Sequence, residues 1–183
     1  MADTNADTKA ITITGKHNID KIKTKINPLK NINTKAQRLN METLLDADIT
    51  HKAQLQMLNK LYMDCDFPLK SLLEKELERK INGYKAQDIK KDIYESALLI
   101  TLADTIEKLL PTKLLCYYCK LPVFLLYKNV RDHSQWTLDR KDNDKCHSKE
   151  NTLVACLKCN LQRRVTDIDK FTFTKHLKIN KCK

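Results

Sequence analysis

Two cysteine pairs carry the most specific chemistry in this chain: Cys116-Tyr117-Tyr118-Cys119 and Cys156-Leu157-Lys158-Cys159. Within each C-x-x-C pair, two sulfurs can grip one side of a tetrahedral ion. Two such pairs complete the shell, and zinc is its usual occupant. Cys116, Cys119, Cys156 and Cys159 are therefore expected to hold a structural zinc, with no position left open for water. The alternative is a set of buried free thiols. Cys146 is a possible competing ligand, but it has no paired neighbour.

Something must bring these pairs together. After Pro111 the pattern turns short, apolar and aromatic. Leu121 to Tyr127 reads as a hairpin strand leaving the first pair, and Gln135 to Leu138 as another strand. Leu153-Val154-Ala155 leads into the second pair, where a helix is expected around Cys156 to Asn160. A hairpin knuckle followed by a helix-borne knuckle is the treble-clef plan. Lys141 to Glu150 reads as a polar, charged loop. Phe171-Thr172-Phe173-Thr174 alternates, as a strand or a segment packed on that helix would.

Residues 36 to 111 read as helical. Leu39, Leu44 and Leu45 share one face. Thr50 can cap a second helix bearing Leu55, Leu58, Leu61 and Tyr62. Pro68 suits the start of a third, which Asn82-Gly83 is expected to end. A fourth should run from Ala86 through Leu109 until Pro111 stops it. The leucines suit a helical core, with a dimer seam as the lesser option. Residues 1 to 35 resemble a basic, flexible arm, with Ile11 to Thr14 as a short strand. The expected fold class is thus α+β, with an arm (1–35), a helical region (36–111) and a zinc module (112–183).

The chain has 183 residues, 34 Lys plus Arg against 23 Asp plus Glu, and a formal net charge of +11. A surplus that large favours a polyanion, most commonly nucleic acid. A solvated basic surface accounts for the composition equally well. No apolar run reaches the ~20 residues that span a bilayer, and the polar first residues do not resemble a signal peptide. Seven cysteines, an odd number, suit a reducing, intracellular compartment. With only two glycines, a glycine-rich phosphate loop is excluded.

The first C-x-x-C, Gln135-Trp136-Thr137-Leu138-Asp139-Arg140, Asn151, and Cys156-Leu157-Lys158-Cys159-Asn160 with Arg163-Arg164 together resemble zinc-bearing HNH endonucleases. These belong to the ββα-metal, or His-Me finger, superfamily. The likeness covers about residues 112 to 180 and is nearest to HNH-type proteins of large DNA viruses, which would place the chain in a virus-infected host cell. It implies that Asp139 and Asn160 hold a catalytic divalent cation. A carboxylate and an amide oxygen are hard donors suited to Mg²⁺. It also implies that Asn151 supports the loop, and that Lys158, Arg163 and Arg164 on the second-knuckle helix clamp phosphates.

One departure matters. Arg140 stands where active relatives usually place a histidine base, and arginine stays protonated throughout the physiological range. It can serve phosphate instead. His147 in the following loop is the substitute base, with His133 a weaker candidate. Trp136 is expected as a core support, with base stacking as the alternative. Asp139 has another reading as a surface salt bridge to Arg140 or Arg163, and Asn160 another as a helix cap. The expected function is a metal-dependent endonuclease hydrolysing DNA phosphodiesters. The alternative is a catalytically inactive, zinc-stabilised nucleic-acid-binding accessory factor. A protein-interaction module built on the helices ranks third.

Overall fold

The computed structural model describes residues 49–177. The expected basic arm, the Ile11 to Thr14 strand and the helix around Leu39 to Leu45 lie outside the described residues. The architecture is α+β. In chain order it runs α1 (His51–Tyr62), α2 (Lys70–Lys90), α3 (Leu102–Leu109), β1 (Trp136–Arg140), β2 (Thr152–Cys156), α4 (Leu157–Arg163) and α5 (Ile168–His176). The two strands pair antiparallel, with Trp136 opposite Cys156 and Arg140 opposite Thr152.

Helix α1 starts after Thr50, whose hydroxyl accepts from Ala53 N, satisfying one of the donors a helix leaves open at its first turn. At α3, Thr101 and Asp104 form a reciprocal capping box. The leucines expected on helical faces are core residues: Leu58, Leu73, Leu77 and Leu109 are all buried. They share one continuous cluster with Trp136, Leu138, Val154 and the knuckle residues Cys116 and Tyr118. Helical region and cysteine module thus have a common core.

Three expectations are corrected. Asn82-Gly83 does not end a helix: α2 runs through it to Lys90. Contacts further along hold it helical. Tyr84 Oη accepts from Leu138 N at 2.9 Å, and Asp88 accepts from His147. These tertiary contacts outweigh the ~1 kcal/mol penalty of an interior glycine. The expected fourth helix therefore shrinks to α3.

Second, Leu121 to Tyr127 is not a strand. It makes isolated bridges, Leu115 with Pro122 and Phe124 with Gln135. Gln54 of α1 takes the place of a partner strand. Its Oε1 accepts from Leu125 N (2.7 Å) and Leu126 N (2.9 Å). Its Nε2 donates to Leu126 O (3.0 Å). Buried backbone donors need partners, and a side-chain amide supplies them here. Third, of the two readings of Phe171 to Thr174 the strand is corrected, since the segment lies in α5. Asp167 caps α5, and Phe171 packs edge-on against Tyr118 with ring centroids 4.9 Å apart.

Gly83 has nothing within 4 Å of where a Cβ would stand. Gly83→Ala should therefore stabilise the fold by about 0.5–1 kcal/mol. Chemical denaturation would show a higher midpoint at unchanged slope.

Candidate metal centre and its buried ion pairs

The turn after α3 and the start of α4 bring Cys116, Cys119, Cys156 and Cys159 together. All four Sγ atoms lie within 4.8 Å of one another. The Sγ atoms of Cys119 and Cys156 are 3.9 Å apart. A tetrahedral ion with metal–sulfur bonds of about 2.3 Å sets sulfur–sulfur edges of about 3.8 Å, so the donor set fits a metal ion. Hydrogen bonding from Cys156 draws the Cys116 thiol down to about 4, and the same contact pushes Cys156 up. Close thiols resist ionising together, and a divalent cation relieves that repulsion. Cys146 is buried apart from the cluster.

The knuckles are locked to the sheet. Tyr117 N donates to Val154 O (2.8 Å), Cys116 N to Leu121 O (2.9 Å) and Leu157 N to Gln135 O (3.0 Å). Cys156 caps α4, its sulfur accepting from Cys159 N. Lys120, just after the first pair, has φ 59°, the left-handed region that non-glycine residues enter at an energetic cost.

Asp139 lies on β1 with 4% of its surface exposed. Arg163 of α4 grips it at two points, Nε to Oδ2 at 2.5 Å and Nη2 to Oδ1 at 2.9 Å. Tyr118 Oη donates to Oδ2 at 2.6 Å. Arg163 is itself 1% exposed and also donates to Thr166 O and Arg140 O. The ion pair with Asp139 is thus a buried one. The phosphate-clamp role expected of Arg163 is corrected, because a guanidinium enclosed this way cannot reach a phosphate. Asn160 donates to Thr137 Oγ1 at 3.1 Å and Leu138 O at 3.4 Å. Thr137 and Asp139 share one face of β1, since alternate strand residues do. Asn160 is therefore on the Asp139 side, but Arg163 occupies the carboxylate. A cation there would have to displace it.

Arg140 and His147 point elsewhere. Both meet Asp88 of α2, a carboxylate with no exposed surface. His147 Nδ1 is 2.6 Å from Oδ1, His147 N donates to Oδ2 at 2.8 Å, and Arg140 Nη1 reaches Oδ1 at 3.3 Å. The His147 ring stacks on Tyr84 at 4.6 Å. This corrects the base role expected of His147: it is 3% exposed and tied to α2, where an attacking water has little access. Arg140, 7% exposed, is likewise not presented to phosphate. Asp88 was missed because nothing near it in sequence marks it. The only signal was an acid on the apolar face of α2, four residues after Tyr84.

Asn151 laces the loop, donating to Asp142 O (2.9 Å) and Cys146 O (3.0 Å) and accepting from Asp142 N (2.9 Å). Trp136 is fully buried, with the Lys80 ammonium 4.8 Å from its ring centroid, so no base can stack on it. Lys158, Arg164 and His133 are exposed. No protein-family model, curated protein or solved structure matches the chain.

Removing Asp88 leaves the Arg140 charge buried and unpaired. Asp88→Ala should cost about 3–5 kcal/mol, read by urea denaturation. Burial holds the His147 pKa below its ordinary value, with Arg140 and Lys91 adding to the effect and Asp88 opposing it. Its contribution is full above the unfolded value near 6.5. It is lost as pH falls through the lower folded value. Stability should therefore rise with pH up to about 6.5, and His147→Gln should flatten that part of the curve.

Proposed function

We propose that this protein is a zinc-stabilised nucleic-acid-binding module of treble-clef type that does not itself cleave its ligand. The observation that carries this is the buried Asp139–Arg163 pair. It closes the carboxylate that a hydrolytic cation would need, while Arg140 and His147 are spent on Asp88. The four-sulfur cluster supports zinc in a folding role, since all four positions belong to protein ligands. The +11 charge and the exposed Lys158 and Arg164 support binding dominated by phosphate contacts.

A second reading, a metal-dependent DNA endonuclease, is favoured by Asn160 lying on the same face of β1 as Asp139. Under it, Mg²⁺ would be held by Asp139 and Asn160 once Arg163 swings aside.

Purified protein should contain one zinc per chain by elemental analysis. Cys156→Ser should lose both the metal and the cooperative thermal transition. Binding to a labelled DNA should weaken steeply between low and high salt. Supercoiled plasmid should stay uncut with Mg²⁺ or Mn²⁺. Nicking that disappears in Asp139→Ala and Asn160→Ala would instead establish the nuclease.

A further inference from the structure

A cleft of about 390 Å³ lies beside the first knuckle, between the turn after α3 and strand β2. Leu115, Pro111 and Leu153 form apolar walls, Tyr117 an aromatic edge, and Lys108 and Lys120 a cationic rim. No acid lines it. Tyr117 is 39% exposed and braced edge-on by Tyr118, ring centroids 5.3 Å apart. Lys120, held by its left-handed backbone, places Nζ 4.9 Å from the Tyr117 ring centroid. Lys108 donates to Thr152 O at 2.9 Å. Desolvation lowers its pKa, as expected of an ammonium half withdrawn from water. Two acids reach Lys108 by charge, Glu150 and Asp104, and Asp104 is paired with Lys149.

Apolar walls, one exposed ring and two cations at the rim suit a ligand with a flat apolar body and an anionic end. The volume is that of a small-ligand pocket. A nucleotide has both parts. A base still stacked in a duplex cannot enter such a cleft, whereas an unpaired one can. A lysine over an aromatic face can also swing to a phosphate, exchanging a cation–π contact for an ion pair.

We propose that this cleft holds one unstacked nucleotide of a single-stranded nucleic acid, its base against Tyr117, Leu115 and Leu153 and its phosphate on Lys108 and Lys120. The proposal rests on the nucleic-acid-binding reading and adds where the strand is gripped and in which form. The ligand is thereby a single strand, with the duplex disfavoured.

The test is fluorescence anisotropy with the full, zinc-loaded chain and three labelled probes of equal length: oligo-dT, its abasic counterpart, and a duplex. Tyr117→Ala, Leu153→Ala and the double variant Lys108→Gln/Lys120→Gln are compared with wild type, each checked for zinc content and thermal transition. The expected result is oligo-dT binding at least tenfold tighter than the abasic strand or the duplex. Tyr117→Ala should cost roughly tenfold on oligo-dT and leave the abasic strand unchanged. Leu153→Ala, on β2 outside the two C-x-x-C pairs, should act in the same direction, so the outcome survives if Tyr117→Ala misfolds. The double lysine variant should weaken oligo-dT and the abasic strand together. Equal losses on base-bearing and abasic strands in Tyr117→Ala and Leu153→Ala, no loss with folded variants, or displacement of oligo-dT by polyglutamate at matched charge would each overturn the cleft while sparing general nucleic-acid binding. Absence of binding to every probe would overturn the parent reading as well.

Discussion

The pairing of Arg163 with Asp139 sets what the rest of the molecule can do. It joins four parts at once: α4 supplies the guanidinium, β1 the carboxylate, the first knuckle the Tyr118 hydroxyl, and the turn before α5 a carbonyl. Burying two charges costs several kcal/mol per ion, so such a pair persists only where geometry and neighbours are nearly complete. Here nearly every donor is satisfied. The same completeness removes Asp139 from the surface chemistry that its place between the knuckles suggests.

Asp88 does for the helices what Arg163 does for the knuckles. A carboxylate on α2 receives the loop histidine, its backbone amide and a strand arginine. Tyr84, one turn earlier, holds the strand backbone and stacks on the same histidine. One helix therefore positions both β1 and the loop after it. The exposed cations Lys158 and Arg164, and the cleft beside Tyr117, sit on a frame whose interior charges are already neutralised within the fold.

The cysteine cluster, strand β1, the short helix after the second pair and the helical leucines could be read directly. In each case the signal is local: spacing, alternation or a 3.6-residue period. The α1 cap was legible for the same reason. What escaped were the long-range substitutions. Gly83 looks like a stop, but its helix is held by residues that reach the sheet. Leu121 to Tyr127 has strand composition, yet a glutamine side chain supplies the hydrogen bonds a strand would have made. Asp139, Arg140, Arg163 and His147 were all singled out by type, but type does not say whom a charge will meet. Arg163 was weighed as a surface partner of Asp139, and only burial shows that the pair is internal. Asp88, lying far along the chain, had no motif to mark it.

The glutamine has an implication for how the molecule assembles. Gln54 meets Leu126 across 72 positions of chain, so the backbone of the segment after the first knuckle cannot be satisfied until α1 arrives. Contacts this distant form late, because the intervening chain must first surrender its loop entropy. The cysteine knuckle alone does not define that segment. The Leu125 and Leu126 amides depend on Gln54 of α1 for their partners, which ties their protection from solvent exchange to the order of that helix.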